Sequence, residues 1–549
     1  MAKLTPLAKG LIAVTILSIT AAAAWQLGVK DMVGGDNGGG EGPVFGDNGN
    51  EKDGEGPLGS PGNPLKVSIV SFHGYAPALV ANGNSLITQP GSIMEQKGAN
   101  VELVIQDSIP TLAEIFTSDA AHCAWRTSDF WAQEHPNLRG NDLDAKAIMV
   151  VDNTQGADAI IARDSSIQSV EDLAGKKLAV LQYTPSDGMV IDAIDNSAMS
   201  ARKKNSVDMV YINAEEGTAG VRAAFESGRV DAAALWDPDL SLAIKAVPDA
   251  HVIYSTKTAT NLIYDVIVCD TRYLDDPANT AAFQSFVAGW MAGVDAAEAN
   301  PDGAVDALVD NEVFFELLAK DEGRPFIKGL FDNLVWTGVE DNARILGMAG
   351  GTNHYERLYK RFDVIYRKAG ALANPNAPVI EPGQSFDYRF IQKLVDADAS
   401  AQAAAAKPEF VFTETERDVA VEKEAQLTKP ITVNFNTGSA DLSKRSMQTI
   451  DEEMVPLIEN HGSAYFQVSG NTDSTGSRGA NMKLSKARAD AVTQYLISEW
   501  EFGAERFIIQ GNGPDAPLCP ETQWKAEGYG DLEACRADNR TTRLAVFSR

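Results

Sequence analysis

The chain has 549 residues, enough for two or three domains, and 44% of them are hydrophobic, an ordinary globular share. It carries 76 acidic against 47 basic residues, a formal net charge of −29. That balance excludes nucleic acid and anionic membrane surfaces as natural partners. Residues 1–32 open with Lys3 and Lys9 before an apolar run from Leu11 to Leu27. Basic residues ahead of such a run keep the N-terminus in the cytoplasm and export the rest of the chain. Two readings stand: a signal peptide cut after Ala22-Ala23-Ala24, or a retained inner-membrane anchor with Trp25 at the interface. Residues 33–64 are a Gly/Asp/Asn/Glu/Pro string with little to bury, expected to be a disordered linker. Its root-mean-square span is about 30 Å. A tether is useful only if its far end stays attached, which favours the anchor.

From residue 65 to 395 short apolar runs alternate with helical periods. Strands are expected at 66–70, 101–105, 147–151, 159–162, 177–181, 208–212, 231–235 and 266–269, with helices such as 217–227 and 280–298 between them. The alternation predicts an α/β fold with parallel sheets covered on both faces. Ligands in such sheets sit beyond the carboxyl ends of the strands. Candidate ligand-binding residues are therefore Gly74 and Tyr75 after the first strand, Trp125, Arg126, Thr127 and Ser128, and Thr154 and Gln155. Ser186 and Asp187, at a helix N-terminus, can receive a polar head or merely cap their helix. Trp236 and Asp237 face them from the next loop. Arg126 favours an anion, whereas Asp129, Asp187 and Asp237 speak against one, so the solute's charge stays open.

Several phrases here resemble periplasmic solute-binding proteins of the nitrate/sulfonate/taurine ABC-transporter class. They are Ser169-Val-Glu-Asp-Leu-Ala-Gly-Lys-Lys-Leu-Ala-Val180, Glu226-Ser-Gly-Arg-Val-Asp-Ala-Ala-Ala-Leu-Trp-Asp-Pro238 and the opening loop Phe72-His-Gly-Tyr-Ala-Pro77. The resemblance implies a two-lobed type II binding-protein fold that closes on a small-molecule solute, and an ABC permease as partner. The crossings between lobes are expected near 152–156 and 254–261. The cysteines at 123, 269, 519 and 535 are unclustered, and the six histidines show no metal-binding spacing. No nucleophile-elbow or phosphate-loop motif occurs. The reading is a binder, with no metal, no cofactor and no enzymatic activity.

Residues 396–429 form an Ala/Asp/Ser-rich and then charged linker. A small βαβαβ–β domain comes next over 430–549, with strands at 431–435, 464–469, 506–510 and 543–548 and helices at 443–460 and 480–499. Its middle reads Thr472-Asp473-Ser-Thr-Gly476-Ser-Arg-Gly-Ala-Asn481-Met-Lys-Leu484-Ser485-Lys-Ala-Arg488-Ala489. Asn481, Leu484 and Arg488 share one helical face. An Asp and an Arg around one small space suit a zwitterion, because Arg forks onto a carboxylate while Asp takes an ammonium. This stretch resembles the OmpA-like peptidoglycan-binding domain. The resemblance gives Asp473 and Arg488 the diaminopimelate of the peptide stem, with Asn481 and Leu484 beside them. Asn539 and Arg540 resemble the start of that family's Asn-Arg-Arg signature, with Thr541 in place of the second Arg. Cys519 and Cys535 are expected to pair in an exported chain, the alternative being two free thiols. Cys123 and Cys269 read as buried strand residues that do not pair. The whole reads as a periplasmic solute trap held to the wall. A membrane-to-wall tether or sensor, without a transport role, is the alternative.

Overall fold

A computed structural model describes residues 56–549 apart from Ala349, Ala373, Pro408 and Thr437. The expected N-terminal apolar segment and most of the first linker lie outside the described residues. The linker's last residues are ordered, against expectation: Gly59 N–H donates to Asn63 O at 2.8 Å, and Asn100 N–H donates to Gly59 O at 2.9 Å. Leu58, packed on the core, supplies the apolar anchor that the composition of this stretch hid.

Two sheets form the larger part. Its strands are β1 (Leu65–Ile69), β2 (Val101–Ile105), β3 (Cys123–Thr127), β4 (Ala145–Thr154), β5 (Asp158–Ala162) and β6 (Lys177–Leu181). They continue with β7 (Asp208–Ile212), β8 (Ala232–Trp236), β9 (His251–Ser255), β10 (Tyr264–Asp270) and β11 (Leu334–Trp336). The first sheet runs β11-β4-β10-β3-β1-β2 and the second β7-β6-β8-β5-β9. The passage from β4 to β5 carries the chain from one sheet to the other, and the passage from β9 to β10 carries it back. The sheets are mixed, not parallel as helix alternation suggested. β10 and β5, each the first strand after a crossing, run antiparallel to both neighbours. A chain that enters a sheet from the opposite lobe arrives pointing the other way, which alternation of helix and strand cannot reveal. The strands are nearly all buried apolar runs, β4 and β10 through most of their length, as sheets covered on both faces require.

A correction concerns the cysteines. Cys123 and Cys269 face each other across β3 and β10 and form a disulfide. Their positions, 146 residues apart, gave no hint of pairing because the register depends on the unforeseen direction of β10.

The C-terminal module has β12 (Leu427–Ile431), β13 (Tyr465–Asn471), β14 (Phe507–Gly513) and β15 (Thr542–Phe547), in the order β12-β15-β13-β14. Its first strand lies four residues earlier than the expected 431–435, because Leu427 and Ile431 are the buried positions that pair with β15. The linker also holds two short helices, Ala399–Ala405 and Glu414–Ala420. The long helix Arg478–Trp500 starts at Ser477, whose hydroxyl accepts from Ala480 N–H. It lies so close on β13 that a Cβ at Gly470 would stand 2.0 Å from Ser485 O; glycine is required there. An unforeseen helix, Leu532–Asn539, is capped by Asp531. The module packs on the returning crossing. Asn261 N–H donates to Asn460 O at 3.0 Å, Asn261 Nδ2 donates to Glu459 O at 2.7 Å, and Tyr254 Oη lies 3.1 Å from His461 Nε2.

Candidate functional site

Where the two sheets meet at the crossings, the structure encloses a cavity of about 20 Å³, room for one water. Anything larger enters only if the lobes part. Phe72, Trp125 and Trp236 give it aromatic walls, while Thr127, Thr154, Asp158 and Asp265 give it polar atoms. Gly74 belongs to the turn after β1. A Cβ at this position would meet Asp152 Oδ2 at 2.0 Å and the Phe72 ring at 2.8 Å, so a side chain here would displace the wall.

The electrostatics turn on Asp265. Tyr75 O–H donates to its Oδ2 at 2.6 Å and Trp125 Nε1–H at 2.7 Å. In the sheet register Asp265 stands opposite Thr127 on one side and Asp152 on the other, so the three side chains share a face. Both Asp152 oxygens are buried without a hydrogen-bond partner. Like charges directly opposite each other are unfavourable, and burial adds to the effect. Burial pushes Asp265 up to about 7 despite its two donors. Burial, then the charges of Asp265 and Asp158, raises Asp152 well above the carboxylate range. Burial, then Asp265, does the same to Asp158. Asp129, both oxygens likewise unpartnered, is raised by burial to about 6.

The sequence candidates separate. Trp125, Thr127, Thr154 and Trp236 line the cavity, and Tyr75 supports Asp265 from behind. Arg126 turns away: its guanidinium pairs with Glu134 and donates to the carbonyls of Trp125 and Leu112. Gln155 reaches Glu409 at 3.1 Å, outside the cavity. Asp237 accepts from Ser241 N–H at 3.0 Å and Asn333 Nδ2 at 2.7 Å, a structural post rather than a cavity wall. Asp187 accepts from Tyr183 N–H at 3.0 Å, and burial raises it to about 6. Ser186 is buried with an unpartnered hydroxyl, and Ser128 accepts from Tyr264 N–H at 3.4 Å. Sequence reasoning missed Asp158 and Asp265. The available signal was an acidic residue inside a buried strand, since Asp is almost never fully buried without purpose.

In the C-terminal module Asp473 lies at the start of the loop after β13. Arg540 Nη1 donates to its Oδ2 at 2.7 Å and Thr475 N–H to its Oδ1 at 2.9 Å. Burial would raise its pKa, but these donors outweigh burial and hold it below the usual value. Arg540 also pairs with Glu533. Asn481 Nδ2 donates to Asp473 O and Thr475 O, so it shapes the loop. Asn539 pins Cys519 through both its N–H and its carbonyl, and Cys519 is disulfide-bonded to Cys535. Arg488 lies over the Phe435 ring at 4.9 Å and donates to Ser439 O and Asn436 O. Burial lowers its pKa, with no carboxylate acting against that shift. Leu484, half-buried, lies one turn before it on the same helix.

Residues 96–304 match the family described as NMT1/THI5 like, and residues 434–528 match the OmpA family. The chain carries an NMT1/THI5-like domain and an OmpA domain. The chain is 32% identical over 104 residues to the peptidoglycan-associated lipoprotein of Pseudomonas putida, covering 17% of this chain and 61% of that one. Another stretch is 33% identical over 85 residues to a putative aliphatic sulfonates-binding protein of Escherichia coli, covering 16% of this chain and 24% of that one. The chain thus spans less than two thirds of either relative. The periplasmic aliphatic sulphonate binding protein SsuA from Escherichia coli is a structural neighbour, with TM-score 0.45 and 15% identity over 59% of this chain and 97% of that one. Among the described residues no helix is long and apolar enough to cross a membrane.

Proposed function

We propose that this chain is a periplasmic solute-binding protein held to the cell wall, capturing a small polar solute between two lobes that hinge at residues 152–156 and 254–261. The observation that carries the reading is the walled cavity at those crossings, in one chain with a matched OmpA domain. Parting and closing of the lobes about two short crossings is the hinge mode of ligand capture. The lobes comprise residues 65–151 with 262–395, and 157–253. The chain performs no chemistry on its solute and needs no cofactor. An ABC permease receives the solute, and the N-terminal segment holds the chain in the inner membrane.

The OmpA domain grips the diaminopimelate of the peptidoglycan stem. Arg488, half-buried and with no carboxylate acting against the shift that burial imposes, takes the stem carboxylate in a forked contact. Asp473 takes the ammonium, exchanging part of its contact with Arg540. Leu484, Asn481, Asn539 and Arg540 frame the pocket. Sedimentation of the chain with diaminopimelate-type peptidoglycan tests this. Retention is expected to vanish for Asp473→Ala and for Arg488→Ala, and unchanged retention of both would overturn the wall site.

A further inference from the structure

The likeness to sulfonate-binding relatives points to an anionic solute; the cavity points the other way. No Lys, Arg or His lines it, whereas Asp158 and Asp265 do. The one arginine that sequence placed there, Arg126, is committed to Glu134 and two carbonyls behind β3. Asp152 backs Asp265 in register, and Asp129 stands buried and unpartnered nearby in sequence to Thr127. A sulfonate or nitrate would meet no basic side chain in this lining.

A second observation is independent of charge. The hydroxyls of Thr127 and Thr154 line the cavity, are 2% and 1% exposed, and meet no partner at hydrogen-bonding geometry. Thr127 leans towards Asp129 and Thr154 towards Asp158, neither completing a bond. Buried polar atoms are normally satisfied, so two cavity-lining hydroxyls with open acceptor positions call for a donor. The remaining wall, Phe72, Trp125 and Trp236, is aromatic, and aromatic faces attract cations. Among the described residues no group of three or more His, Cys, Asp and Glu side chains is placed to hold a metal ion. The cation must therefore bring its own apolar body.

Taking the solute-binding reading as its base, we infer that the interlobe site selects an organic ammonium ion, seated between Asp158, Asp265 and the two threonine hydroxyls against the Trp125 and Trp236 rings. The carboxylates supply the counter-charge, the hydroxyls accept ammonium N–H groups, and the indoles cover the alkyl groups. Closure of the lobes then buries a neutralised set rather than a repelling one.

Calorimetric titration of the full chain with choline, ethanolamine and ethanesulfonate tests this. An ammonium ion is expected to bind and ethanesulfonate not to. Preference for ethanolamine would assign the hydroxyls the leading part, and preference for choline would assign it to the rings. Asp158→Asn is expected to weaken ammonium binding on the order of 100-fold, with peptidoglycan retention unchanged. Should that variant fail to fold, Thr154→Val keeps the charge and is expected to weaken ethanolamine but not choline, whose nitrogen has no N–H. Binding of ethanesulfonate alone, or of neutral solutes alone in a thermal-shift screen, would overturn the ammonium assignment while the solute trap stands. Stabilisation by no solute of any charge would bring down both.

Discussion

The chain uses aspartate in two opposite ways, and the contrast separates its two ends. In the OmpA domain Asp473 stands beside Arg540 and a backbone N–H, and its carboxyl is held below the usual range. Between the lobes Asp158 and Asp265 line one small cavity with no basic residue in its wall, Asp152 stands beside Asp265 in register, and all three are raised. A paired carboxylate is complete by itself and waits for a ligand to compete with its partner. A buried, unpaired group is incomplete until something arrives. The first arrangement suits attachment to a fixed polymer, and the second suits a switch between an empty and a filled trap.

Each end has its own disulfide, and these give the largest effects. Cys123–Cys269 closes a span of 146 residues and joins β3 to β10, the strands that carry Trp125, Thr127 and Asp265. In the chain-entropy model its loss through Cys123→Ser with Cys269→Ser costs about 5 kcal/mol. Cys519–Cys535 spans 16 residues, and its loss costs about 3 kcal/mol in the same model. Denaturant melts of the two double variants check the order. The first is expected to damage solute binding and spare wall retention, and the second the reverse. Equal damage to both functions by either pair would break the separation of the two ends.

Smaller in stability is Asp473→Ala. The pair with Arg540 is partly exposed, and such pairs contribute about 0–1 kcal/mol. The melting temperature should hardly move while sedimentation with peptidoglycan is lost. A large drop in stability would mean that Asp473 braces the loop rather than reads the wall.

The contrast also marks what could be read from sequence. The OmpA match was legible because the motif's residues lie within one turn and one helix, where i, i+3 and i+7 spacing fixes their relative positions. The strands β2, β6 and β7 were equally plain, being short apolar runs between turn signals. The cavity was legible only on one side. Trp125, Thr127 and Trp236 end strands and so fell where ligands gather, but Asp265 begins β10, and its place depends on that strand running against its neighbours. The same reversal hid the Cys123–Cys269 pair. Arg126 alternates in β3 with Trp125 and Thr127, which line the cavity, so it points to the other face. Period-two alternation was sufficient to say so once β3 was known to extend to Thr127.

The pH test is the most discriminating, because it requires two opposite signs from the same groups. Asp129 and Asp187 are raised to about 6 and Asp265 to about 7, each first by burial. The folded chain thus holds these protons more tightly than the unfolded one. The stability they contribute is fully present below the unfolded value near 4 and is lost as pH rises through 6 to 7. The ligand-free chain should therefore melt higher at pH 5 than at pH 8, by on the order of 5 °C. Asp473, held low, keeps its charge throughout that window and adds nothing to the change. Asp265→Asn should remove part of the slope by raising stability at pH 8. Ammonium binding should run the other way, weakening as pH falls through 7, because a protonated Asp265 no longer supplies counter-charge. Tyr75 and Trp125 donate to Asp265, and burial lifts Tyr75 still further above this range, while Arg126 is turned to Glu134. A melting temperature flat between pH 5 and pH 8 would mean that the cleft carboxylates are as well partnered as Asp473, and the contrast between the two ends would dissolve.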